Sequence, residues 1–111
     1  MSANREKYQE FATLLEELCD YTTFAGLDAS QLRQRVNLAQ QFFRDQIVPL
    51  TVEGPQDQSY RTEISKQLRL LEVDVMFFKG ARQSSTAQAR LIIIGDRLKT
   101  LIRYCEAVLG S

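Results

Sequence analysis

The sequence predicts an all-α protein, an antiparallel four-helix bundle whose third and fourth helices are the longest. Three observations predict it. Apolar residues recur at three- and four-residue spacing through four separate stretches, and no stretch of useful length shows the alternation of a strand. Residues that stop and start helices fall between those stretches. The connections left over are short, which makes sequence neighbours antiparallel. A long third–fourth helix hairpin with the first two helices packed across it fits the same pattern.

At 111 residues the chain forms one domain, residues 1–111, large enough for an ordinary core without disulfide or metal staples. With 44% hydrophobic and 25% charged residues, only 5 Gly and 2 Pro, the composition is that of a folded domain.

The first helix is expected over residues 4–21, with Tyr8, Phe11, Leu15 and Leu18 as its apolar stripe. Thr22 and Thr23 disfavour its continuation, and Gly26 suits a left-handed cap. Asp28 opens the second helix, with Gln31 completing a capping box, and Leu32, Val36, Ala39, Phe43 and Ile47 form its stripe. Pro49 ends or kinks that helix near Val48, because it lacks an N–H and restricts the residue before it.

Residues 48–58 form the longest irregular segment. The third helix starts at Pro55 behind Gly54, or slightly later with Asp57 or Ser59 as its cap, and runs to Lys79. Tyr60, Ile64, Leu68, Leu71, Val75 and Phe78 share one face of it. Leu70, Val73, Met76 and Phe77 lie on its other side, more apolar surface than a bundle helix with one buried face requires. Ser85 and Gln88 make a second capping box for the fourth helix, whose core face runs from Ala87 through Leu91, Ile94, Leu98 and Leu101 to Cys105 and Val108. Ile92, Ile93 and Tyr104 add apolar surface off that face. Gly95 sits mid-helix, either for close packing or as a tolerated defect.

Several function classes are disfavoured. There is no histidine, so the commonest metal ligand and the commonest neutral-pH base are missing, and no cofactor is expected. Cys19 and Cys105 form no local motif and read as small core residues. The acidic pairs Glu16–Glu17 and Glu72–Asp74 point in different directions on a helix and read as solvated surface, so no enzyme is expected.

Fourteen basic and fourteen acidic residues cancel, at a pI of about 6.3, which argues against nucleic-acid binding. The halves differ: residues 1–54 hold 5 basic and 8 acidic side chains, residues 55–111 hold 9 and 6. The longest apolar run, Leu91 to Ile94, is far too short to insert into a membrane, and the charged start lacks a signal-peptide core. A cytoplasmic protein is expected.

The stretches NREKYQEF, LRQRVNLAQQFFRDQI, QLRLLEVDVMFFKGARQSSTAQAR and DRLKTLIRYCEAVL resemble the cyanobacterial PatD family, named for control of heterocyst frequency. The similarity is densest over residues 67–109, where QLRLL, DVMFF, ARQ, TAQAR, DRL and YC stand in the family's order. The resemblance implies a non-enzymatic factor that binds the tubulin homologue FtsZ at the division site, modulating cell division and heterocyst frequency. It supplies no motif that marks the binding residues.

Those come from the helix pattern. An apolar centre of Val73, Met76 and Phe77 with a basic rim of Arg69, Lys79 and Arg82, and Arg90 opposite, is the expected protein-binding surface. A homodimeric scaffold, or a regulator with a different partner, would use the same outward apolar residues.

Overall fold

The computed structural model, which describes residues 3–110, turns each apolar stripe into a helix. These are α1 (Ala3–Tyr21), α2 (Ala29–Phe42), α3 (Pro55–Gly80) and α4 (Ser84–Leu109). Helix α1 packs beside α2 and α4, and α3 beside α2 and α4, so the four make a closed ring of neighbours. The two 26-residue helices, about 39 Å each at 1.5 Å per residue, set the 46 Å long axis of a body 22 by 21 Å across. This is the four-helix bundle with the third and fourth helices longest.

The register of the α3–α4 hairpin is fixed by cross-helix contacts. Tyr60 packs on Tyr104 with ring centroids 5.8 Å apart, Gln67 accepts from Arg97 at 3.1 Å, and Asp74 binds Arg90 at 2.9 Å. Each step moves seven residues up α3 and seven down α4. Seven residues are close to two turns, so the contacts stack along a single seam.

Inside the ring, Tyr8, Phe11, Leu15, Leu32, Ile64, Leu71, Ile94, Leu98 and Leu101 are fully buried, and Cys105 lies among them. Phe11 stacks on Phe42 and tilts against Phe43, joining α1 to the end of α2.

The helix ends differ in part from the sequence reading. The Asp28 carboxylate accepts from the Gln31 N–H at 3.1 Å, as expected of the cap. The reciprocal arm of the box is replaced, because the Asp28 N–H donates to the Tyr21 hydroxyl at 3.1 Å. Gly26 does not supply a left-handed cap; the positive φ among the described residues belongs to Gly54, at 103°. Thr22 and Thr23 close α1 instead, their hydroxyls donating to the Cys19 and Asp20 carbonyls at 2.6 and 2.8 Å. Two hydroxyls that satisfy the last carbonyls remove the need for a glycine cap.

The Ser85–Gln88 box does not form either. Helix α4 begins two residues earlier than a Ser85 cap requires, at Ser84 behind Gln83, so Ser85 already lies in the first turn and cannot cap it. Of the open starts for α3, the structure takes Pro55 behind Gly54.

Pro49 acts earlier than a simple stop. After Phe42 the helix widens into a π-helical turn over Phe43–Ile47, with the Val48 N–H reaching the Phe43 carbonyl at 3.0 Å. This turn keeps Phe43 and Ile47 buried while leaving Val48 exposed.

Candidate functional site

Helix α3 buries Ile64, Leu68, Leu71 and Val75. By helical spacing, Arg69, Val73, Met76, Lys66, Phe77 and Leu70 all lie within about 70° of the opposite direction. The bundle does not consume this face: Val73 is 42% exposed, Met76 56% and Phe77 58%. Arg69, Lys79 and Arg82 are exposed around it, Lys79 in the last turn of α3 and Arg82 in the connection to α4. Lys66, Arg69, Lys79 and Arg82 make no ion pair among the described residues. Of the apolar residues off the core faces, Ile92 is 67% exposed, Ile93 is partly exposed, and Leu70 and Tyr104 are half-buried.

Arg90 is placed differently from the other rim residues. Its guanidinium binds Asp74 at 2.9 Å and lies 4.7 Å from the centre of the Phe77 ring. On its other side Asp74 binds Arg97, whose second nitrogen donates to Gln67 at 3.1 Å. Asp74 is therefore no solvated surface carboxylate. It is buried in the α3–α4 seam, one negative charge between two guanidiniums. The sequence reading failed here because Asp74 lies beside the core stripe of α3 and its partners lie sixteen and twenty-three residues away. Arg90 thus holds Phe77 in place, a cation on an aromatic face.

The structure also shows a groove that periodicity missed. It is an open space of about 650 Å³ between the π-helical turn, the segment after it and the outer face of α3. Phe43, Val48, Val52 and Leu70 supply its apolar lining, with Lys66 and Arg69 on its rim. Val48 and Val52 lie on either side of Pro49 and Leu50 in the irregular segment, where no helical spacing predicts a shared surface. The groove meets the expected surface at Arg69.

A second polar cluster clamps that segment to the bundle. Asp57, in the first turn of α3, accepts from the Tyr8 hydroxyl at 3.0 Å, the Glu53 N–H at 2.8 Å and Arg61 Nε at 3.2 Å. Arg61 also donates to the Leu50 and Thr51 carbonyls at 2.7 and 3.1 Å. Burial by itself would raise the Asp57 carboxyl; the Glu53 N–H, Arg61 and Tyr8 outweigh it and hold the group below its usual range. Burial, reinforced by Asp57, pushes the Tyr8 hydroxyl well above the usual tyrosine value. Beside the cluster is a pocket of about 160 Å³ that reaches Asn4, Gln56 and Tyr60. Its ionised acceptor is saturated with donors and its hydroxyl keeps its proton, so the cluster joins parts of the fold and offers no base.

Both cysteines are free thiols. Burial raises Cys19 and pushes Cys105 up to about 12, which leaves both protonated and weakly nucleophilic near neutrality. Among the described residues no group of three or more His, Cys, Asp or Glu side chains could hold a metal ion. No helix among them is long and apolar enough to cross a membrane.

Compared with known proteins, residues 4–106 match the family described as the CRR41 C-terminal domain. The chain belongs to that family. The match begins on α1 and ends on α4, so the CRR41 C-terminal domain embraces all four helices, the Asp57 clamp and the Asp74 seam. The outward face of α3 and the groove beside it both lie inside its limits. No curated protein and no solved structure matches the chain.

Proposed function

We propose that this CRR41 C-terminal domain is a non-enzymatic protein-interaction module that docks the tubulin homologue FtsZ on the outward face of α3. Through FtsZ it would modulate cell division and heterocyst frequency, acting in the cytoplasm at the division site. The choice of FtsZ rests on the resemblance of residues 67–109 to the PatD family. The observation that carries a docking role is the exposure of Val73, Met76 and Phe77 inside a rim of Arg69, Lys79 and Arg82. Apolar side chains at the centre of a patch lose the most water on binding and slow dissociation, while rim charges speed encounter with an acidic partner. Arg90 contributes by holding the Phe77 ring.

The test is co-sedimentation with FtsZ polymers. The double variant Phe77→Asp, Arg82→Glu is expected to stay folded, because both side chains are exposed, and to stay in the supernatant. Pelleting equal to that of the parent protein would discard this surface.

The exposure of Ile92 on α4, away from the α3 face, favours a second reading in which the chain also forms a homodimer. Sedimentation equilibrium of the parent and of Ile92→Glu checks it: a dimer that the substitution splits supports self-association.

A further inference from the structure

The groove beside the π-helical turn meets the exposed face of α3 at Arg69 but is not lined by Val73, Met76 or Phe77, and its chemistry points to a particular occupant. Val48 and Val52 are 53% and 42% exposed, although they sit against the half-buried Leu70 and the buried Phe43. Lys66 and Arg69 stand on the rim, and among the described residues no carboxylate lines the groove. Arg61, also in the lining, is neutralised by Asp57 at 3.1 Å. The groove therefore combines an apolar floor with an unbalanced positive edge. Along α3 it extends from Gln58 to Leu70, about 18 Å, which suits three turns of helix or five to six extended residues. Its walls are fixed, because Arg61 holds the carbonyls of Leu50 and Thr51, on either side of which the two valines lie. π-helical turns occur often where a chain binds something, and this one supplies Phe43 and leads into Val48.

We infer that this groove binds a short peptide segment of a partner protein, apolar at its centre and acidic at its flank. A second copy of this chain seated groove to groove is a poorer occupant, since it would bring two basic edges together with no carboxylate between them. The inference does not depend on the identity of FtsZ as a partner.

A phage-displayed library of random 12-residue peptides, selected on the full chain, tests it. The selected consensus is expected to place Leu, Ile or Phe beside Asp or Glu. A fluorescein-labelled consensus peptide should lose affinity by about tenfold or more for Lys66→Glu, Arg69→Glu, and similarly for Val52→Asp. A peptide with its acids changed to Lys should bind the Lys66→Glu, Arg69→Glu variant better than the parent protein, and binding to the parent should weaken with salt. Phe77→Asp, Arg82→Glu should bind the consensus peptide as the parent does, which separates this site from the surface proposed for FtsZ. All five altered side chains are exposed, and unchanged thermal unfolding confirms that the variants are folded. A consensus without acids, full binding by Val52→Asp, failure of the charge swap, or loss of binding in Phe77→Asp, Arg82→Glu would each overturn the assignment. So would a dimer in sedimentation that Val52→Asp converts to monomer.

Discussion

Replacing Asp57 by Asn tests how the irregular segment is held to the bundle. The carboxylate accepts four donors: the Tyr8 hydroxyl, the Glu53 N–H, Arg61 Nε and a second Arg61 nitrogen at 3.1 Å. An amide keeps one acceptor oxygen and turns an NH2 toward two of those donors. Hydrogen bonds to a charged group contribute about 1.5–3 kcal/mol each, and breaking a buried ion pair costs about 3–5 kcal/mol. Arg61 keeps the Leu50 and Thr51 carbonyls, so its charge is not orphaned and the lower end applies. We expect a loss of about 3 kcal/mol near pH 7, or roughly 10–15 °C in Tm for a domain of this size.

The pH dependence gives the sharper check. Because the folded-state carboxyl is held below its usual value, its contribution is present above the unfolded value of about 3.9 and fades as pH falls through the folded value. Urea unfolding of the parent and Asp57→Asn at pH 7 and near pH 3 should therefore show a large gap that narrows in acid. A gap below about 1 kcal/mol at pH 7, or one of the same size at both pH values, would refute this account of the clamp.

Gly95→Ala should stabilise the protein by about 0.5–1 kcal/mol, because it lies mid-helix and an added Cβ meets nothing within 4 Å; a lower urea midpoint would contradict this. Asp74→Asn should cost about 2–3 kcal/mol by leaving two guanidiniums sharing one neutral acceptor, whereas Asp96→Asn on the exposed side of α4 should change stability by less than about 0.5 kcal/mol. Equal urea midpoints for these two variants would show that the seam carries no stability. In thiol titration of the native protein at pH 8, Cys105 should remain unreacted until denaturant is added while half-buried Cys19 reacts first; prompt reaction of both would show that the Cys105 site opens readily.

Four helices, their order and their buried faces follow from the sequence alone, because a helix that must bury one side repeats apolar residues at helical spacing. Ile64, Leu68, Leu71 and Val75 on α3, and Ile94, Leu98, Leu101 and Cys105 on α4, are buried as that spacing demands. So is the converse: Val73, Met76 and Phe77, placed off the stripe, stay exposed. Periodicity is a local property, carried by residues three and four apart.

What it cannot carry is the pairing of side chains distant in the chain. Asp74 looks like any surface acid until α4 folds back and brings Arg90 and Arg97 against it. Asp57 becomes a clamp when α1 delivers Tyr8 and the segment after Pro49 delivers its carbonyls to Arg61. The groove exists because a π-helical turn sets Val48 and Val52 beside Leu70 and Lys66, residues that no single helical face unites. Helices are written in local spacing, whereas seams, clamps and grooves arise only once separate elements meet.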